Sequence, residues 1–190
     1  MDQKETQVKI KVVFQDPFNL KNLYKIVYRW LLDHGYLVDT NEADLEILYS
    51  EQVRQGDMKE YHIWWRCQKQ PPNEYFRYYL SIDYLGLAVK NTEVIKDDKK
   101  YKMQIGEITI NIKSDLEVEA NDKEGKWESH WLLSMFRNWY KEKWYRTKIE
   151  QHENTLYEET YKLQSTIKEY LELYQYTTTP DLFFKKKGFE

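Results

Sequence analysis

Between Trp127 and Thr179 the chain contains neither glycine nor proline. A run free of backbone breakers and rich in good helix formers reads as one helix, or as two with a tight join. As a single rod, roughly 45 residues rising 1.5 Å each span about 65 Å. A compact domain of this length has a radius of gyration of only about 16 Å. The segment is therefore expected to project from the body or to break. His152-Glu153-Asn154-Thr155 is the expected break, because Asn154 or Thr155 can cap a new helix and Thr155 with Glu158 fits a capping box. Beyond it Leu156, Thr160, Leu163, Ile167, Tyr170 and Tyr174 recur at three and four residues, one stripe of a helix. Thr177 to Pro180 ends this element and opens a short tail.

The preceding half has a different period. Val8-Lys9-Ile10-Lys11-Val12 alternates apolar and charged, the pattern of a half-buried strand. Asp16-Pro17 breaks it and Asn19 is a suitable N-cap. Leu20, Leu23, Tyr24, Val27, Trp30 and Leu31 then form an apolar helical stripe, closed at His34-Gly35 by a residue that tolerates the left-handed conformation. From Leu45 to Glu119 the period is two again: Leu45, Ile47 and Tyr49; then Tyr61, Ile63, Trp65 and Cys67; then Phe76, Tyr78, Leu80, Ile82 and Tyr84. Gln55-Gly56-Asp57, Pro71-Pro72-Asn73 and Asp97-Asp98 supply turns, and Gly86 marks a bulge or bend before a shorter strand toward Ile95. Tyr101 and Met103 read as another short strand. In the last strand Ile108, Ile110, Ile112, Leu116 and Val118 share one parity against Glu107, Thr109, Asn111, Lys113, Asp115, Glu117 and Glu119. One dry and one wet face is what an antiparallel sheet covered on a single side requires, and the short connections exclude parallel crossovers. The expected fold class is α+β: an antiparallel sheet of about five to six strands, one helix after strand 1, and a long C-terminal helix or helical hairpin. The expected division is a sheet domain over 1–120, a helical element over 127–175 packed on it or projecting from it, and a flexible tail over 176–190.

Composition narrows the class. With 29 basic and 32 acidic side chains the net charge is -3, which argues against a protein devoted to coating nucleic acid. Hydrophobic residues at 41% and charged residues at 32% place the chain among globular rather than disordered sequences. Cys67 is the single cysteine, so no internal disulfide can form. The polar start and the lack of a long apolar run lead to the expectation of a soluble, cytoplasmic protein.

Chemistry-bearing patterns are few. His34, His62, His130 and His152 show no metal-ligand spacing, and no nucleophile elbow, phosphate loop or dinucleotide fingerprint occurs. No catalytic residue, metal or cofactor is expected. Cys67 shares a parity with Trp65 and reads as a core thiol. Asp115, Glu117 and Glu119 stand about 7 Å apart in steps of two, a spacing that acid–base work on a glycosidic bond can use and that a solvated sheet face explains equally well. The segment Arg137 to Lys148 interleaves Arg137, Lys141, Lys143, Arg146 and Lys148 with Trp139, Tyr140, Trp144 and Tyr145. Cations beside rings suit single-stranded nucleic acid or an anionic membrane surface. The early turns around Trp131, Met135 and Trp139 are equally explained by packing on the sheet, which leaves Trp144 and Tyr145 as the rings expected to meet a partner. Leu182, Phe183 and Phe184 ahead of Lys185-Lys186-Lys187 are expected to cover the domain's own apolar surface or dock on a second copy.

The element order of strand, helix, antiparallel strands and long terminal helix resembles the helix-grip arrangement of START and polyketide-cyclase-like domains. The resemblance covers about Val8 to Lys148 and departs in having one helix, not two, after the first strand. It implies a cavity between sheet and helix for a small apolar ligand, with Tyr61, Trp65, Tyr78, Tyr84, Trp131 and Met135 as expected lining. The leading functional expectation is a non-enzymatic binding or adaptor protein. Its helical element and tail, graded from basic (Arg137 to Lys148) to acidic (Glu150 to Glu159), would contact a protein partner or a second copy of the chain. A carrier or enzyme for an apolar ligand, and binding of nucleic acid or membrane through the basic–aromatic helix, are the alternatives.

Overall fold

The computed structural model describes residues 3–36, 45–71, 76–96, 99–118 and 146–178. In chain order the elements are β1 (Gln3–Phe14), α1 (Leu20–Asp33), β2 (Glu46–Arg54), β3 (Met58–Lys69), β4 (Phe76–Lys96), β5 (Lys99–Val118) and α2 (Arg146–Thr178). The described strands form one antiparallel sheet in the order β1-β5-β4-β3-β2. The fold is thus α+β, with a helix after strand 1 and a C-terminal helix.

β2 through β5 are a meander, while β1 lies beyond β5, so β1 and β2 hold opposite edges. α1 makes the crossing. Its 14 residues extend about 21 Å, close to the width of a five-stranded sheet at about 4.8 Å per strand. Both ends of α1 are closed by their own sequence. Asn19 Oδ1 accepts from the Asn22 N–H at 3.0 Å. Gly35, at φ +77°, lets its own N–H reach Leu32 O and the Tyr36 N–H reach Leu31 O, paired bonds that close a helix C-terminus.

Two expectations about strand length are corrected. β4 and β5 each run past the bend as one long strand, and the ladder shifts register between Leu87 and Lys90. Ala88 takes φ +51° there. Opposite it, Gly106 leaves room for the bulged backbone: a Cβ at that position would stand 2.8 Å from Val89 Cα and 3.0 Å from Ala88 O. The bend brings Gln104 to Phe18, which exchange two backbone hydrogen bonds at 2.8 Å.

The core lies on one face of the sheet. Val8, Ile10 and Val12 of β1, Ile108, Ile110, Ile112 and Leu116 of β5, and the inward rows of β3 and β4 are buried with Leu23, Val27, Trp30 and Leu31 of α1. α2 packs on β1, β5, β4 and α1, burying Leu156, Thr160, Leu163, Ile167, Tyr170 and Leu171. The expected break at His152 to Thr155 does not occur, and α2 is continuous through it. His152 stacks on Phe76 at 4.0 Å and its Nδ1 lies 2.6 Å from the Tyr78 hydroxyl. Thr155 donates back to Gln151 O at 2.9 Å instead of capping a new helix. Contacts with a strand more than 70 residues away outweigh the local capping signal.

The alternation of Leu45, Ile47 and Tyr49 also resolves differently. Leu45 is buried, but Ile47 and Tyr49 are 63% and 52% exposed. Glu46 turns inward, accepting from the Tyr24 hydroxyl at 3.0 Å and from Trp65 Nε1 at 3.4 Å. The β2–β3 register shifts between Glu46 and Leu48.

Candidate functional site

α2 is 33 residues long, about 50 Å, and among its described side chains the buried ones run from Leu156 to Leu171, about 24 Å of that length. Advancing 100° per residue, the helix carries Tyr157 about 90° round from the centre of the buried stripe, onto its flank, and Tyr161, Ser165 and Glu169 about 130° to 170° round from it. Tyr157 and Tyr161 are 50% and 40% exposed, with ring centroids 4.5 Å apart and planes tilted by 40°. The Tyr161 hydroxyl beside it raises the Tyr157 pKa above its ordinary value. Beside the rings the small side chains Ser165 and Thr166 leave a shallow open groove of about 500 Å³, with Glu158, Lys162 and Glu169 on its margins. The surface is amphipathic: two adjacent rings, a depression, and charges of both signs. Sequence reading missed it, although the i, i+4 tyrosine pair off the stripe of Leu156 and Leu163 was the available signal.

The inner side of α2 is held by a polar clamp. Glu159 accepts from the Tyr36 hydroxyl at 2.6 Å and from Lys69 Nζ at 2.6 Å. Lys69 Nζ also lies 5.3 Å from the Tyr36 ring centroid and 5.9 Å from that of Tyr78. Burial, then the adjacent Glu159 carboxylate, pushes the Tyr36 hydroxyl far above its ordinary pKa. Gln7 of β1 reaches Glu153 at 3.3 Å, and the Tyr170 hydroxyl donates to Asn19 O at 3.1 Å. These contacts fix which face of α2 meets solvent.

Of the residues expected to line a cavity, Tyr61, Trp65, Tyr78 and Tyr84 are all buried and lie on the inner face of the sheet. Trp65 stands edge-on to Tyr24 at 4.4 Å and to Tyr84 at 5.5 Å. The Tyr84 hydroxyl and Ser114 Oγ are buried without a hydrogen-bond partner. Cys67 donates to Leu80 O at 3.3 Å, and burial pushes its thiol up to about 12, as befits a core residue. Trp131 and Met135 lie outside the described residues.

So do Arg137, Lys141, Lys143, Trp144 and Tyr145 of the basic–aromatic segment, and Leu182, Phe183 and Phe184 of the tail. Arg146 opens α2, and Lys148 follows it on an exposed turn. Asp115 of the acidic row is buried on the outer face, tied to Thr6 Oγ1 at 2.7 Å and Lys113 Nζ at 2.9 Å. Glu117 accepts from the Tyr79 hydroxyl at 2.6 Å and lies 3.7 Å from Arg77. Both carboxylates are thus engaged in cross-strand pairs, and Glu119 lies outside the described residues. Among the described residues no group of three or more His, Cys, Asp or Glu side chains is placed to hold a metal ion, and no helix is long and apolar enough to cross a membrane. Comparison with protein-family models finds no match, and comparison with curated proteins finds none.

Proposed function

We propose that the chain is a non-enzymatic binding or adaptor protein whose C-terminal helix presents a docking surface for a protein partner. The observation that carries this reading is the exposed Tyr157–Tyr161 pair on α2, off the helix's buried stripe and beside its groove. Tyrosine supplies large contact area at low conformational cost and is enriched where proteins meet. The buried stripe and the clamp at Glu159 hold the helix rigid, so a partner loses little entropy to preorganisation of this surface. Mixed charge on the groove margins suits a protein surface better than a polyanion.

The test places a photo-crosslinking residue at Ser165 in the full chain and irradiates it in extract of the source cell. A discrete adduct is expected, lost in Tyr157→Glu with Tyr161→Glu while urea unfolding is unchanged. An adduct pattern no different from the same probe at exposed Glu93 overturns the reading. The second reading, a carrier for a small apolar ligand of the kind the helix-grip resemblance implies, draws on the buried and unpartnered Tyr84 and Ser114 hydroxyls. A bound molecule would satisfy such groups, and native mass spectrometry of the purified chain tests for it.

A further inference from the structure

Carbon–carbon coupling of two tyrosines needs rings that an oxidant can reach and that already touch, and Tyr157 and Tyr161 meet both conditions. Residues four apart on a helix carry their Cβ atoms about 5–6 Å apart, and the side chain of the later one leans back over the turn of the earlier. The two rings accordingly meet, with centroids 4.5 Å apart and planes tilted by 40°. That separation is the near limit of the roughly 4.5–7 Å found between packed aromatic rings. The hydroxyls meet as well, since hydrogen bonding to Tyr161 is the chief cause of the raised Tyr157 pKa. The ring carbons beside those hydroxyls are thereby brought close. Both rings are open to solvent, at 50% and 40% exposure. Tyr49 and Tyr101 are comparably exposed but stand in different strands, β2 and β5, while Tyr36 and Tyr84 are buried away from any oxidant.

We propose that Tyr157 and Tyr161 form a site of oxidative modification, joined by a bond between their ortho carbons when a haem peroxidase and hydrogen peroxide act on the chain. Each ring gives one electron to the peroxidase and its phenolic proton to water, which leaves two phenoxyl radicals. The radicals join ortho carbon to ortho carbon. Each ring then regains aromaticity as the hydrogen on the joined carbon leaves and the oxygen is reprotonated. In sum, two tyrosines and one hydrogen peroxide give one bityrosine and two waters.

The backbone of α2 stays in place during this step. Its buried stripe and the contacts of Glu159 with Tyr36 and Lys69 hold it, so coupling asks only for rotation of two side chains already in contact. Groups held together react as if at an effective concentration far above that of any protein solution, which favours this bond over one between chains. The product changes the face that carries it. One hydroxyl of the coupled pair hydrogen-bonds the phenolate of the other, which favours ionisation and places negative charge beside the groove. That consequence for a partner rests on the reading of this face as a docking surface; the bond itself does not.

The test treats the full chain with a haem peroxidase and limiting hydrogen peroxide, then digests it with trypsin. No lysine or arginine lies between Ile149 and Tyr161, so one peptide, Ile149 to Lys162, carries both rings. That peptide is expected to become lighter by two hydrogen atoms and to acquire bityrosine fluorescence, to the same extent after tenfold dilution at a fixed ratio of peroxide to chain. Tyr157→Phe and Tyr161→Phe are each expected to abolish both signals with urea unfolding unchanged, and Tyr49→Phe with Tyr101→Phe to leave them. Treatment in urea above the unfolding transition is expected to lower conversion several-fold, because the contact between the rings is lost. An unshifted peptide, with or without covalent dimers, overturns the proposal, and so does conversion equal in the folded and unfolded chain. Coupling without a photo-adduct at Ser165 keeps this site and removes the docking reading, whereas an adduct without coupling does the reverse.

Discussion

Tyr36 and Tyr84 are both buried, yet removing the hydroxyl from each is expected to change stability in opposite directions. Tyr36, at 0% exposure, donates at 2.6 Å to Glu159, a carboxylate also held by Lys69. Hydrogen bonds to charged groups contribute about 1.5–3 kcal/mol. Tyr36→Phe leaves the Glu159–Lys69 pair intact, so the loss is confined to that bond and is expected at about 2 kcal/mol. The Tyr84 hydroxyl, at 2% exposure, has no partner, and a buried unsatisfied polar group costs about 1–3 kcal/mol. Tyr84→Phe removes that cost and leaves only a hydroxyl-sized void, so a gain of up to about 1 kcal/mol is expected. Urea unfolding followed by tryptophan fluorescence reads both, since Trp65 is fully buried and 5.5 Å from the Tyr84 ring. With a slope of about 2 kcal/mol per molar urea, the midpoint is expected to fall by about 1 M for Tyr36→Phe and to hold or rise by up to about 0.5 M for Tyr84→Phe. If Tyr84→Phe loses as much as Tyr36→Phe at unchanged slope, the Tyr84 hydroxyl is satisfied by water or a retained ligand. The reasoning would then fail and the carrier reading would gain.

Gly106→Ala is expected to cost about 2–3 kcal/mol, because the new Cβ meets Val89 Cα at 2.8 Å and the Ala88 and Leu87 carbonyls at 3.0 Å, all backbone atoms. Gly56→Ala meets nothing within 4 Å at φ +77° and is expected to cost only about 1 kcal/mol; thermal melts of the two variants compare them directly. Burial pushes both Tyr24 and Cys67 up to about 12, from ordinary values of 10.0 and 9.0. The folded chain thus keeps protons that the unfolded chain releases, so the stability contribution is complete below pH 9 and is lost as pH rises toward 12. Urea midpoints are expected to decline across that window, less steeply in Tyr24→Phe, and a flat profile contradicts the assignment. Cys67 is expected to resist iodoacetamide at pH 8 in the folded chain and to react promptly in denaturant.

The parts of the fold legible in the sequence are those fixed by local rules. Each half-buried strand shows its inner row, from Tyr61 to Cys67 and from Phe76 to Tyr84, because the side-chain period of a strand is two. The ends of α1 are visible because Asn19 and Gly35 satisfy backbone groups within a few residues. What failed to show was set at long range. Nothing near Ile47 and Tyr49 announces that β2 is an edge strand beyond the cover of the helices. The continuity of α2 through His152 depends on Phe76 and Tyr78. The clamp joins Tyr36, Lys69 and Glu159 from three distant positions, and no spacing rule connects them. The residues singled out for a partner, from Arg137 to Tyr145 and from Leu182 to Phe184, lie outside the described residues. The tyrosine pair that carries the proposed function was missed, because its i, i+4 spacing says nothing of exposure until the buried stripe of α2 is fixed by the sheet.

That pair bears on how lesions in α2 separate. The stripe from Leu156 to Leu171 meets the core, with five of its six side chains at 1% exposure or less. Truncating an aliphatic member such as Leu163 costs about 2–5 kcal/mol by loss of burial and creation of a cavity. Tyr157 and Tyr161 stand off that stripe, 50% and 40% exposed, with their ring centroids 4.5 Å apart, so replacing them leaves the helix its buried face and its clamp. Surface changes of this kind ordinarily stay within about 0.5 kcal/mol. A defect caused by Tyr157 or Tyr161 without a change in unfolding therefore belongs to recognition, whereas one caused by Glu159 mixes the two, because that carboxylate fixes the rotation of the helix. If Tyr157→Glu with Tyr161→Glu instead lowered the unfolding midpoint as far as Leu163→Ala, the tyrosine face would be part of the core, and α2 would have no free surface to offer.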